Sequence, residues 1–196
     1  MKYSAGLVSH TFWFYETKVT AELMIEGLSK QEILQKALEE NIYQVDTERR
    51  IKRMFSAIYN RLNGLSEELL EYFVSCDVYS AKLFVFITII MRDKLFFEFM
   101  HEVFREHIIL GDYNFRKSDF DAFFENKAAQ SEIVASWTER SIKRLPSTYR
   151  LMMFEADLID SKKPECKILP PLIDFNLKNL FEKYELTPFI NVFTGD

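Results

Sequence analysis

The chain has 196 residues, 48% of them hydrophobic and 19 of them Phe, which is enough apolar material for one ordinary domain or two small helical ones sharing a surface. That composition excludes extensive disorder. A net charge of −5 and a pI near 5.4 exclude a histone-like basic coat and leave room only for local basic patches, because exposed charges are screened over about 8–10 Å at physiological salt.

The polar stretch 1–6 has no apolar run after it, so no secretory leader is expected. Glycines at 27, 64 and 111 stand where helical patterns stop, as expected of residues that tolerate a left-handed end. The first predicted helix covers 11–26. Ser29 caps a second at about 30–40, with Glu32 completing a capping box. Thr47 caps a third at about 48–63, and Ser66 opens a fourth at about 67–74.

The longest apolar run, 83–91, lies between Lys82 and Arg92-Asp93. A bilayer requires about 20 residues, so this run reads as buried core, and the protein as soluble, cytoplasmic and without a membrane partner. The run is rich in β-branched residues, but no other segment offers a pairing strand, and 78–91 is read as a helix. Another helix follows over 93–110. Ser118 caps the next at about 119–126, and two more cover about 130–145 and 147–158. Pro146 is expected to kink or split this region. Residues 160–171, with Pro164, Pro170 and Pro171, predict a small hairpin or wing around 166–169. A helix at 176–184 and a short apolar end at 188–193 that packs down complete the chain. The fold class is all-α, mostly helical, with helix-turn-helix-like units and a small β-wing near 160–171. Its division is an N-terminal helical domain over 1–112 and a winged-helix-like region over 113–196.

Two of these helices carry positive charge on one side. In the third, Ile51, Met54, Phe55, Ile58, Tyr59 and Leu62 form an apolar stripe, with Arg49, Lys52 and Arg53 opposite and Arg50 and Arg61 flanking. With a single acid, Glu48, the segment 47–64 carries +4. The linker 41–46 is longer than the usual helix-turn-helix connection of about 3–4 residues. In the second basic segment, Thr138, Ile142, Leu145 and Tyr149 oppose Arg140, Lys143, Arg144 and Ser147, and 136–150 carries +3. Lys162 and Lys163 follow in the wing. The order helix, helix, basic helix, turn, wing describes a winged helix-turn-helix. Such faces neutralise phosphates, so the candidate DNA-binding residues are Arg49, Arg50, Lys52, Arg53, Arg61, Arg140, Lys143, Arg144, Lys162 and Lys163. A plain solvated helix face is the competing reading of each stripe.

No catalytic motif stands against this reading. Glu98 and His101 lack the second Glu-x-x-His pair of a di-iron site, and with His10 and His107 the chain has too few histidines at useful spacing. No phosphate-cradling glycine loop or nucleophile elbow is present. Cys76 and Cys166 sit in no motif and read as reduced thiols. The aromatic cluster at 12–15 is expected in core or interface rather than stacked on bases. The sequence therefore predicts no cofactor, no metal and no enzyme activity.

Several strings carry a resemblance: Tyr3-Ser-Ala-Gly-Leu-Val-Ser, Phe12-Trp-Phe-Tyr-Glu, Leu95-Phe-Phe-Glu-Phe-Met and Leu110-Gly-Asp-Tyr, then Phe123-Phe124, Gln130-Ser131, Trp137 and Glu155-Ala-Asp-Leu-Ile. In this order and spacing the chain resembles the BrxA proteins of BREX bacteriophage-exclusion systems over roughly residues 1–160. His10 and Asp157 depart from it, standing where glycine is expected, and Asp157 bears on the turn into the wing. The resemblance implies a mostly helical, non-enzymatic phage-defence component that binds double-stranded DNA and works beside other BREX proteins. The alternative is a protein adaptor without nucleic-acid contact, docking through an exposed 12–15 cluster. If DNA is the ligand, the two basic stripes are expected on one continuous face.

Overall fold

The computed structural model describes residues 2–195. Its centre is α5 (Val78–Ile90), in which residues 83–90 are buried on every side. The β-branched residues of this run stay helical because helices surround it: α1 (Phe14–Ile25), α3 (Glu48–Leu62), α4 (Glu67–Ser75), α6 (Lys94–Phe99), α10 (Glu139–Glu155) and α12 (Pro188–Asn191) all pack on α5. The one hydroxyl in the run is satisfied locally, Thr88 Oγ1 donating to Val85 O at 2.7 Å.

Helix starts follow the cap chemistry in most places. Ser29 and Glu32 form the expected capping box on α2 (Lys30–Glu39), with Ser29 N donating to Glu32 Oε2 at 2.7 Å. The Ser66 hydroxyl accepts from Leu69 N at the head of α4, and the Asp77 carboxylate accepts from Tyr79 N and Ser80 N at the head of α5. Thr47 holds the cap position of α3 without a side-chain bond. Gly27, Gly64 and Gly111 all have positive φ, as their helix-ending role requires. The helix predicted over 93–110 is continuous, running from α6 through a π-turn (Met100–Phe104) into α7 (Arg105–Leu110).

Four expectations are corrected. The first helix begins at Phe14, after a short 3-10 turn (Gly6–Ser9), because Trp13 is left-handed at φ 55°. Ser118 lies inside α8 (Lys117–Gln130) rather than capping it. The cap position falls to Arg116, whose N–H donates to the Asp119 carboxylate at 2.7 Å. This register turns Phe120, Phe123, Phe124 and Lys127 inward, and that burial also carries the helix past residue 126. The run predicted over 130–145 is two helices, α9 (Glu132–Ala135) capped by Ser131 and α10 capped by Thr138.

The fourth correction is that α10 passes through Pro146 without splitting. A proline inside a helix removes one backbone bond and costs about 3 kcal/mol. Burial of Leu145, Tyr149, Met152 and Met153 offsets it, with Tyr149 stacked on Phe96 at 4.0 Å and 5.4 Å from Phe99. The Ser147 and Thr148 hydroxyls both donate to Arg144 O, at 2.8 and 3.0 Å.

The wing forms, with a partner the sequence did not reveal. β1 (Asn114–Phe115) pairs antiparallel with β2 (Cys166–Lys167), and a bridge between Ile159 and Ile168 closes the intervening loop. Asp160 secures that loop, its N–H donating to Lys167 O and its carboxylate accepting from Lys167 N. His107 lies within hydrogen-bond reach of Asp112 O at 2.6 Å and Asp119 Oδ2 at 3.2 Å, tying α7 to the head of α8. The end of the chain packs down through α11 (Phe175–Lys183) and α12, placing Phe181 edge-on to Phe84 and Phe193 on Phe86 and Phe104. The apolar core is one cluster from Leu7 to Phe193, and Phe99 crosses the 112/113 division to meet Phe115, Phe120 and Phe123.

Candidate nucleic-acid interface

In α3 the apolar stripe is buried as its spacing predicts, apart from a half-buried Tyr59. Arg49, Arg50, Lys52 and Arg53 are exposed on the other side, with Lys52 Nζ 3.1 Å from Glu48. Arg61 departs from them. Only 4% exposed, it donates from Nη1 to Phe12 O at 3.0 Å and from Nη2 to Thr11 O at 3.1 Å. Its guanidinium sits 5.2 Å from the Trp13 ring, and burial pulls its pKa down to about 10. Flanking an apolar stripe, it was drawn under the chain entering α1, and it is a clamp on that chain rather than an exposed phosphate contact.

In α10 the basic face stands out as expected, but of the apolar stripe Thr138 is exposed at the cap and Ile142 is half-buried. Arg140, Lys143 and Arg144 are exposed, while Leu145 and Tyr149 are buried. Lys143 pairs with Glu139 one turn earlier. Lys162 and Lys163 are exposed in the loop closed by the Ile159–Ile168 bridge, and Lys162 Nζ lies 5.2 Å from the Phe154 ring. The structure therefore leaves nine of the ten candidate side chains exposed, all but Arg61. α3 is carried on α1, α2 and α5, and α10 on the 3-10 turn and α5, so the two basic helices share α5 as support.

Arg150, which contributes to the positive count of the second segment, is buried instead. It stacks 4.7 Å from the Phe120 ring, with Nε and Nη1 lacking a hydrogen-bond partner. Its helical angle, on the side of Ile142 and Pro146, was the available sequence signal. Asp157, where glycine is expected, does adopt a left-handed conformation at φ 56°, and its carboxylate meets Lys82 Nζ at 2.7 Å. The departure thus keeps the glycine-like turn into the wing and adds an ion pair.

The residues weighed for other chemistry have structural partners. Glu98 accepts from Tyr3 Oη at 2.9 Å and pairs with the buried Lys127 at 2.7 Å, while Lys127 also meets Glu102 at 2.6 Å. His101 is exposed. Both thiols are free, and burial raises them, Cys76 to about 11. Among the described residues no group of three or more His, Cys, Asp and Glu is placed to hold a metal ion, and no helix is long and apolar enough to cross a membrane. In the aromatic cluster, Phe12 is buried, Trp13 and Phe14 are half-buried, and Tyr15 is exposed.

Fold and surface together define a mostly helical protein with one small antiparallel sheet and two helices basic on their outer faces. The chain belongs to the BrxA family, whose profile matches residues 1–185. It is 37% identical over 175 residues to a BREX protein BrxA of Bacillus cereus (strain H3081.97), covering 89% of this chain and 88% of that one. It is accordingly a component of a BREX phage-defence system. A solved structure of an uncharacterized protein from Magnetospirillum magneticum shares the fold, with a TM-score of 0.83, 18% identity and full coverage of both chains.

Proposed function

We propose that this protein is a non-enzymatic accessory component of its BREX system that binds double-stranded DNA, in the cytoplasm and beside other BREX proteins. The observation that carries the reading is the outer face of α10. Arg140, Lys143 and Arg144 meet solvent there while Leu145, Tyr149 and Met152 anchor the helix from behind. The order β1, α8, α9, α10, bridge, β2 supports a winged helix-turn-helix reading, in which α10 would be the recognition helix and Lys162 and Lys163 would stand on the wing. Arg49, Arg50, Lys52 and Arg53 of α3 form a second phosphate-binding stripe. Affinity arises from counterion release, and the guanidinium groups also suit bidentate pairing with guanine.

Electrophoretic mobility shift with duplex DNA over a salt series tests this. Binding at low salt is expected, with affinity falling about a thousandfold between roughly 50 and 200 mM salt if about six phosphates are neutralised. Changing Arg140, Lys143 and Arg144 together to Glu is expected to abolish the shift, and the same change at Arg49, Lys52 and Arg53 to weaken it. No shift at low salt, or a charge-reversed α10 that binds as the wild type does, overturns the reading.

A further inference from the structure

Residues 169–174 form a strap from β2 to α11, and they leave apolar side chains in water. Leu169 N donates to Leu158 O at 2.9 Å, but Pro170 and Pro171 have no N–H with which to extend that pairing. The strap therefore stands off as the wall of a groove of about 580 Å³. Tyr79 and Leu83 of α5, Ala156, Leu169, Leu172 and Ile173 line it. Leu172 is 97% exposed and Tyr79 76%, and beside them Phe175 is 73% exposed and Val78 58%. Water contact disfavours apolar surface, and large side chains gathered this way mark an interaction site.

The groove's charge has one sign. Asp77, Asp157 and Asp174 lie in its wall, and no Lys or Arg is among the described residues lining it. Asp77 accepts from Ser80 Oγ at 2.6 Å as well as from two backbone N–H groups, which hold its carboxyl below the usual range. Asp157 is paired with Lys82 Nζ at 2.7 Å, which leaves Asp77 and Asp174 as the carboxylates without a Lys or Arg partner among the described residues of the groove wall.

We propose that this groove docks a segment of a partner protein that carries apolar side chains flanked by Lys or Arg. The apolar residues cover Tyr79, Leu169 and Leu172, and the basic flank meets the aspartates. A second copy is a poorer occupant, because a two-fold contact sets the same aspartates against one another. DNA is poorer still, since its phosphates meet carboxylates.

The test uses two labelled amphipathic helical peptides of matched pattern, one of Leu and Lys and one of Leu and Glu, titrated with the full chain by fluorescence anisotropy. The Leu/Lys peptide is expected to bind at least about tenfold tighter. Leu172→Asp, at a fully exposed position, is expected to weaken that binding by about tenfold while circular dichroism and the DNA mobility shift stay as in the wild type. The substitution adds a negative charge, so merely electrostatic attraction strengthens where docking weakens. Equal binding of the two peptides, or binding that Leu172→Asp leaves intact, overturns the proposal. So does a wild-type dimer in sedimentation that Leu172→Asp dissociates, which assigns the groove to self-association.

Discussion

Arg61 donates from both terminal nitrogens to the carbonyls of Thr11 and Phe12 while its plane covers Trp13, a bulky residue held at φ 55°. Left-handed backbone is unfavourable for such a residue and persists only where its surroundings enforce it. Arg61→Ala removes two charge-assisted bonds and the ring contact, and is expected to destabilise by about 2–4 kcal/mol in urea unfolding. Its DNA affinity, measured where the variant is still folded, is expected to match the wild type. Asp93 offers a titration of the opposite kind to a stabilising ion pair. It caps α6 through Phe96 N at 2.9 Å, yet burial pushes its carboxyl from 3.8 up to about 6. Between those values the folded chain holds a proton that the unfolded chain has released, so stability is fully present below 3.8 and is lost as pH rises through about 6. Asp93→Asn keeps the capping acceptor without the charge. It is expected to raise stability at neutral pH by about 1–2 kcal/mol and to flatten the dependence of Tm on pH across that window. An unchanged pH profile rejects this role for Asp93.

Helix α10 sets a local preference against a tertiary one. Pro146 withholds the N–H that Ile142 O would accept, and the helix persists because Tyr149 and its neighbours have a deep apolar site to fill. Pro146→Ala restores the bond and is expected to stabilise by about 1–2 kcal/mol, the helical gain being offset in part by a freer unfolded chain. Thermal unfolding reads this directly, and a loss of stability instead identifies the proline ring as a packing element. The elements were legible in proportion to their periodicity. In α3 a sharp apolar stripe against charge predicted Ile51, Met54, Phe55, Ile58 and Leu62 as buried, and they are. α5 is apolar all round, so spacing said nothing and its helical state rested on the lack of a partner strand. At α8 the spacing pointed to Ser118 as the cap, and the inward register of Phe120, Phe123 and Phe124 instead starts the helix two residues earlier, behind Arg116.

Across the whole molecule, burial around α5 joins what the sequence divided at residue 112, because the aromatic side chains of both halves fill one interior. The net charge of −5 is distributed unevenly: basic side chains stand out along α3, α10 and the wing, and aspartates line the groove beneath the strap. The exposure of basic side chains was legible wherever they lie opposite an apolar stripe, as Arg49, Lys52, Arg140 and Arg144 do. At the edge of a stripe it was not: Arg61, one of the candidates, and Arg150, which was not, are both buried. By itself the sequence determined the helical class, most of the caps and helix ends, and the apolar face of α3, since periodicity and cap bonds act within a turn or two of chain. Only the tertiary structure decided that β1 pairs with β2, that α10 runs through Pro146, and that Arg61 serves the fold. Each of those depends on what packs opposite, and the chain brings that partner from far along its length.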